Sequence, residues 1–522
     1  MSQYLISNTP VTSSQNFSEE AFFTAYKQIR NLFRRYFSPS IISAALNYLK
    51  TQTSRPHGEL QKHPWLIFLL LKWVLLDDQF YHRDKPGIST QEFLTLLSRM
   101  HGLSSKSTSR MPSEYAHYHL WMRNISYQQF LYQANFNAAA FARQSLIFDK
   151  LPNNHPFRTE FQHATGIPLS DFFELSAMLL ARFMSDTNSP IVTSWFSPVA
   201  HRYDANSIQK FLDMLSRDLN SLRKHLMGGC DSKKRRSSEL YEESQLVKFP
   251  LLKDGEQYHV WHPMLFNRGL EYFVYDTLRS PDPSGFMNKF GDMFENYVQR
   301  SIEYLGLPYL REKQIQALLT GTGKVTDFLI TEDGANIFVD AKGVEMAYLG
   351  KVSHIPEVVL GKAETSALKG IEQGFQIVRR LSAQGSLNQT FRAASENYLL
   401  VITLKELYLG NGKDFYDAAA KDKIDALIGN GNSPPIPLEN IYFLTVDDLD
   451  HFANCVNKGE VRFIDFIRKA VREDSSGNTK KFHFRQYLSE IGTSIGPPQY
   501  LDDEISNIFG RVEMLLTSPT SA

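Results

Sequence analysis

Through the first 225 residues, apolar side chains recur three and four positions apart. Past residue 245 they gather into short alternating or continuous runs. Residues 22–37 (FFTAYKQIRNLFRRYF) set apolar positions at helical spacing with Arg and Lys between them, which predicts an amphipathic helix. Ser18, followed by Glu19 and Glu20, marks its start. The same spacing predicts helices over 90–100, 127–149, 170–185 and 205–226, separated by Pro, Ser and Asn clusters such as LPNNHP at 151–156. Residues 65–76 (WLIFLLLKWVLL) are apolar but for Lys72 and are followed by Asp77 and Asp78. The run is shorter than the roughly 20 residues of a membrane span and predicts a buried core helix. No internal repeat of fixed period is present.

A small, polar, basic stretch at 228–238 (GGCDSKKRRSS) reads as an exposed linker, and the pattern changes after it. Residues 246–252 and 257–261 alternate on either side of Asp254-Gly255, a hairpin signal. Further on, strands at 325–330, 336–341, 397–404 and 440–445 alternate with helices at 362–381, 414–428 and 446–456. Such alternation predicts an α/β sheet with helices on its faces. The pattern after about residue 477 is less regular, and the last residues, SPTSA, are expected to be disordered. The expected organisation is a mainly α-helical region at 1–225, a linker and hairpin at 226–284, an α/β domain at 285–460 and a C-terminal extension at 461–522.

Composition narrows the chemistry. With 522 residues, 42% of them hydrophobic and 21% charged, the chain is expected to be a folded, soluble protein of two to four domains. Lys plus Arg and Asp plus Glu both number 56, so any surface for a polyanion has to be local. The two cysteines, Cys230 and Cys455, lie far apart and lack partners at metal-ligand spacing. That argues against a disulfide framework or a zinc site and for a reducing compartment. No basic-then-apolar leader is visible, so a cytoplasmic location with no membrane partner is expected. Serine-hydrolase and zinc-peptidase motifs are missing from the sequence. Gly321-Thr-Gly-Lys324 has Leu318 where a phosphate loop needs its first glycine, and Val325 where it needs Ser or Thr, so it reads as a turn. His259 and His262, flanking Trp261, read as ordinary packing or surface residues.

The informative segment runs from 291 to 342. Residues 291–306 (GDMFENYVQRSIEYLG) predict a helix with Phe294, Val298 and Ile302 on its core stripe and Glu295 beside it. A strand then carries Asp327 among apolar residues, Glu332-Asp-Gly334 supplies a turn, and a second strand ends in Asp340-Ala-Lys342. Alternation puts Asp340 and Lys342 on one face. Burying either charge alone is costly, and a divalent cation supplies a reason to do so. Asp327 and Asp340, on neighbouring strands, could bring two carboxylates to one Mg²⁺, a hard ion that prefers oxygen ligands. Lys342 would then stand near the attacking water and the scissile phosphate, where it could help deprotonate the one or neutralise charge on the other. The bland alternative for Asp340 and Lys342 is a surface salt bridge at a strand end.

A helix bearing Glu295, an acid on one strand and Asp-x-Lys on the next resembles the PD-(D/E)XK nuclease superfamily. The matching residues are Glu295, Asp327, Asp340 and Lys342, with Ala341 at the variable position, and the resemblance covers about 285–450. Thr326 stands where the motif's proline would be. The resemblance implies a mixed central sheet of restriction-endonuclease-like type. It also implies hydrolysis of phosphodiester bonds, with Mg²⁺ or Mn²⁺ held by Asp327, Asp340 and Glu295, in nucleic acid, DNA before RNA. Lys362, Lys369, Arg379 and Arg380 on the following helix, with the Lys233–Arg236 run from the linker, are the candidate phosphate contacts. Gln373 and Gln376 are expected on that helix's surface. A nuclease joined to a large helical region looks like an effector of bacterial anti-phage defence or restriction. The helical region would then act as sensor, clamp, or surface for a protein partner or a second copy. The alternatives are a nuclease-fold module that binds without cutting and an interaction scaffold with a degenerate nuclease fold.

Overall fold

The computed structural model describes residues 18–51, 58–108, 115–133, 136–186, 189–229, 235–491 and 496–517. Cys230, Lys233, Lys234 and the final SPTSA lie outside them. The chain divides into two compact units, residues 1–111 with 222–240, and residues 112–221 with 241–522.

The smaller unit is helical. Its apolar run forms helix Pro64–Leu76, buried along nearly its whole length, as a core helix should be. Helix Glu19–Phe33 begins where the sequence places it, with Ser18 Oγ accepting from the Ala21 N–H at 3.1 Å. Arg235 departs from expectation. It is buried and lies 3.4 Å from Glu239, whose carboxylate also takes the Trp73 indole N–H at 2.8 Å and lies 3.5 Å from Lys72. The shared carboxylate draws Arg235 out of the exposed linker.

The larger unit is mixed α/β with two sheets. The smaller has the order β1-β4-β3-β2, from β1 (Ile191–Val192), β2 (Ser216–Arg217), β3 (Leu251–Asp254) and β4 (Gln257–Val260). The β3–β4 hairpin turns at Gly255, whose φ of 59° is the left-handed conformation that glycine adopts without strain. The hairpin starts later than the alternation suggests, because residues 245–247 close a 3₁₀ turn.

The main sheet runs β5 (Tyr309–Arg311), β6 (Phe328–Glu332), β7 (Ala335–Lys342), β8 (Asn397–Thr403) and β9 (Ile441–Thr445), in that order. β5, β6 and β7 are antiparallel, whereas β7, β8 and β9 are parallel. Period-two alternation sends Phe328, Ile330, Ile337 and Val339 into one core, and Leu329, Phe338, Leu399 and Val401 into the other. β8 is buried at every position, as a strand covered on both faces must be. The register aligns Lys342, Thr403 and Thr445 at the carboxyl ends of the three parallel strands.

Several helices differ from their sequence outlines. The 127–149 pattern is two helices, Tyr115–Gln129 and Ala138–Phe148, with a 3₁₀ turn at Phe130–Gln133 and Asn137 capping the second. The 205–226 pattern breaks at Ser216–Arg217, where Asp218 Oδ1 accepts from the N–H groups of Asn220 and Ser221 and starts a new helix. The 362–381 helix is Pro356–Ala363, a π-helical turn at Glu364–Leu368, and Lys369–Gln384. The irregular C-terminal stretch holds a 19-residue helix, Gln499–Thr517, with Leu501, Ile508 and Val512 buried at near-helical spacing.

The helices between 112 and 221 share the core of the sheet unit, so the unit boundaries fall at 111/112, 221/222 and 240/241, and not at 225 alone. The fully buried Asp450 shows how they are joined. Its carboxylate accepts from Arg143 Nε at 2.8 Å, Tyr297 Oη at 2.9 Å, Ser301 Oγ at 2.5 Å and Tyr500 Oη at 2.8 Å, binding four helices at one point. No helix among the described residues is long and apolar enough to cross a membrane.

Candidate active site

The β6–β7 turn, with Asp333 at φ 52° and Gly334 at φ 75°, sets Phe328 opposite Val339. One step beyond that pair, Asp327 and Asp340 face each other at the end of the hairpin. Asp327 lies just before β6, which starts at Phe328 and not at 325. The Ala341 N–H donates to Asp327 Oδ2 at 2.6 Å, and the Asp327 carbonyl accepts from the Glu312 N–H at 2.7 Å. Burial, helped by the charges of Asp340 and Glu295, pushes the Asp327 carboxyl up to about 7 against the pull of Lys342 and the Ala341 N–H.

Asp340 is fully buried. Lys342 Nζ lies 2.8 Å from both its carboxylate oxygens, but its hydrogen bond is to Oδ1, and Oδ2 has no hydrogen-bond partner among the described residues. Burial raises the Asp340 pKa, opposed by Lys342 and then Lys369. The ion pair thus exists, but not as a surface salt bridge, since Asp340 is fully buried and Lys342 is largely covered.

Glu295 comes from helix Pro283–Tyr304, whose Phe294, Val298 and Ile302 are fully buried, leaving the acid half-buried at the edge. Burial and the neighbouring Glu312 raise its pKa, and Arg311, 3.7 Å away, opposes them. Glu312 begins helix Glu312–Leu318 directly after β5. Carboxylate oxygens of Glu295, Glu312 and Asp327 lie within 4.8 Å of one another. Three half-open oxygen donors so close repel one another unless a cation or protons intervene, and they fit a hard divalent ion.

Glu295 and Asp327 are therefore brought together with Glu312, which sequence reasoning missed. Asp340 stands outside that group, paired with Lys342. Glu312 carried no signal of its own, since an acid at a helix start is ordinary. Only the β5–β6 pairing brings it to the site.

Gln373 corrects the sequence reading. It is buried, accepts from Lys342 Nζ at 3.0 Å and donates to the Val325 carbonyl at 2.9 Å, so it orients the lysine. Gln376 is half-buried and donates to Glu372 at 3.1 Å. Gly370 lets the helix approach β7: a Cβ there would lie 2.9 Å from Asp340 Oδ2 and 2.8 Å from Val401 Cγ2.

The candidate phosphate contacts divide. Lys362 is exposed, and Lys369 is half-buried on the Asp340 side. Arg379 donates to the carbonyls of Leu427 and Ile428 at 2.6 and 3.1 Å. Arg380 donates to those of Thr320, Gly321 and Gly323 at 3.2, 2.9 and 3.1 Å, pinning the turn that leads to Asp327. His262 Nδ1 accepts from the Met264 N–H and caps helix Pro263–Arg279, and Cys455 is a buried free thiol. Compared with family models, curated proteins and solved structures, the chain matches none.

Proposed function

We propose that this chain is a metal-dependent nuclease of the PD-(D/E)XK class, hydrolysing phosphodiester bonds of nucleic acid, DNA before RNA. The observation that carries the reading is the meeting of Asp327, Asp340 and Lys342 at the end of one hairpin, with Glu295 close to Asp327. The sheet order supports it, since an antiparallel β5-β6-β7 joined to a parallel β7-β8-β9 is a mixed sheet of the kind the resemblance implies.

Glu295, Glu312 and Asp327 would hold Mg²⁺ or Mn²⁺, with Asp340 opposite Asp327 in the hairpin register. When bound, such an ion polarises the phosphate and lowers the pKa of a water. Asp327 would hold the ion as a carboxylate, and the ion's charge would offset the burial and the neighbouring acids that raise its pKa to about 7. Lys342, fixed between Asp340 and Gln373, sets a positive charge where negative charge grows on the phosphate oxygens. An ion pair this buried costs desolvation that apolar residues would avoid, which fits a functional role. In a bacterial cytoplasm such an enzyme suits an anti-phage or restriction effector, with the smaller helical unit as sensor, clamp or partner surface.

The test is incubation of the purified full chain with plasmid, linear DNA and RNA in Mg²⁺, Mn²⁺ or EDTA, beside Lys342→Ala. Cleavage that needs the metal and is lost in the variant is the expected result. Metal binding without cleavage of any substrate would reduce the chain to a binding module.

A further inference from the structure

A cavity of about 700 Å³ opens in the larger unit at the carboxyl ends of β8 and β9. Lys405 and Glu406, just after β8, and Thr445, Asp447 and Asp448, at the end of β9, form part of its lining. In α/β sheets ligands gather outside the carboxyl ends of parallel strands, and the volume is that of a small-molecule site. None of the residues assigned to the nuclease reading lines it.

The charges in this cavity do not balance. Among the described residues, six carboxylates and four Lys or Arg side chains line it. Each cation already has a partner. Arg268 lies 3.5 Å from Glu271, Lys351 3.1 Å from Glu243, and Arg485 3.1 Å from Asp447 and 3.3 Å from Asp448. Lys405 is held by Asp276 at 2.8 Å and Glu345 at 2.9 Å, two carboxylates outside the lining.

Two carboxylates are left over, the exposed Asp502 and the more enclosed Glu406. Glu406 Oε1 accepts from the N–H groups of Leu407 and Tyr408 at 3.0 and 2.9 Å, while Oε2 has no donor and no Lys or Arg pairs with it among the described residues. Burial and the neighbouring Asp448 push its carboxyl up to about 8, the behaviour of an acid that lacks a counter-ion.

The wall beside Glu406 is aromatic. The Tyr408 ring lies 4.9 Å from Tyr127 and 5.7 Å from Phe130, and all three line the cavity. Tyr408 is held at φ 48°, a strained conformation for a tyrosine, by the hydrogen bond its N–H gives to Glu406. His483, also in the lining, has a buried Nδ1 without a hydrogen-bond partner among the described residues. Aromatic faces attract flat cations, and a cation bound beside Glu406 would draw its carboxyl back to the ionised form.

We propose that this cavity binds a compact organic cation, an amidinium, guanidinium or amine on a flat apolar group, with Glu406 as its counter-ion and Tyr127, Phe130 and Tyr408 as its wall. An anion would meet Glu406 and Asp448, with every lining cation already neutralised. The proposal stands independently of the nuclease reading.

The test is calorimetric titration of the full chain with benzamidine, its neutral isostere benzamide and the anion benzoate. Benzamidine is expected to bind at one saturable site, benzamide at least tenfold more weakly, and benzoate not at all. Glu406→Gln is expected to weaken benzamidine at least tenfold and leave benzamide unchanged. If that variant does not fold, the three ligands on the wild-type chain decide alone. Equal affinity for benzamidine and benzamide, preference for benzoate, no binding of any of the three, or full benzamidine affinity in a folded Glu406→Gln chain would overturn the proposal.

Discussion

Lys342 and Gln373, 31 positions apart, are joined by a hydrogen bond of 3.0 Å, and the same glutamine reaches the Val325 carbonyl two residues before Asp327. One side chain therefore ties the lysine to the strand entry that positions the acid. Gln373→Ala should free the Lys342 ammonium and slow single-turnover cleavage by about 10–100-fold, within the range for losing one oriented polar group. Mn²⁺ affinity should be unchanged, and stability should drop by about 1–3 kcal/mol for the buried carbonyl left unpaired. Wild-type cleavage by the alanine variant would leave Gln373 a packing residue.

Asp327 predicts a pH dependence of stability. Its folded value of about 7 lies above the ordinary 3.8, so between those pH values the folded chain keeps a proton that the unfolded chain releases. Its contribution is fully present below about 4 and is lost as pH rises towards 7. Asp327→Asn cannot ionise, so without metal it should melt above wild type at pH 8, with the gap closing towards pH 4. Mn²⁺ at pH 8 should raise the melting temperature of the wild type and leave the variant unmoved. A gap that is constant with pH would contradict the assignment.

Glu312 tests the structure against the motif. It is no part of the Glu295, Asp327, Asp340, Lys342 pattern, yet its carboxylate lies within 4.8 Å of those of Glu295 and Asp327. Glu312→Gln should weaken Mn²⁺ binding by roughly tenfold or more and stabilise the metal-free chain slightly by removing one repelling charge. Calorimetry showing undiminished affinity would restrict the ligands to the motif residues.

What the sequence discloses follows from how local each feature is. β7, β8, β9 and helix Pro283–Tyr304 are legible because apolar periodicity determines them within one window, as Phe294, Val298 and Ile302 show. Asp340 and Lys342 are legible as neighbours for the same reason, being two apart on one strand. Glu312 and Gln373 are not, because they reach the site through strand pairing and helix docking. Arg379 and Arg380 are legible as charges on a helix, but the carbonyls they hydrogen-bond are not, because those lie on distant segments. Helix Gln499–Thr517 was within reach of pattern reading, its Leu501, Ile508 and Val512 being obscured by Asp502, Asp503 and Glu504.

Gly370 is required by distance and not by backbone conformation. In Gly370→Ala the new Cβ would press on Asp340 Oδ2 at 2.9 Å and Val401 Cγ2 at 2.8 Å. The helix must then lift from β7, costing about 1–3 kcal/mol, as overpacked cores do. Because Gln373 rides on the same helix, cleavage should fall as well. An alanine variant with unchanged denaturation midpoint and rate would mean that the helix yields without cost.

The helices between 112 and 221 should prove inseparable from the sheet. Arg143, on helix Ala138–Phe148, gives Nε to Asp450 and Nη2 to Asp447, both at 2.8 Å, and Asp450 is fully buried. Removing one partner of a buried ion pair costs about 3–5 kcal/mol, because the remaining charge is stranded. Arg143→Met should therefore lower the unfolding free energy by about that much in urea, and Arg143→Lys should recover only part, since an ammonium lacks the fork that serves two carboxylates. A fragment of residues 226–522 loses Arg143 and the apolar faces of Phe141, Phe172 and Phe173 from the shared core. Against a typical total of about 5–15 kcal/mol, that loss should leave no cooperative unfolding transition and little near-ultraviolet circular dichroism. If the fragment unfolds sharply at the midpoint of the full chain, these helices do not form part of the sheet's folding unit.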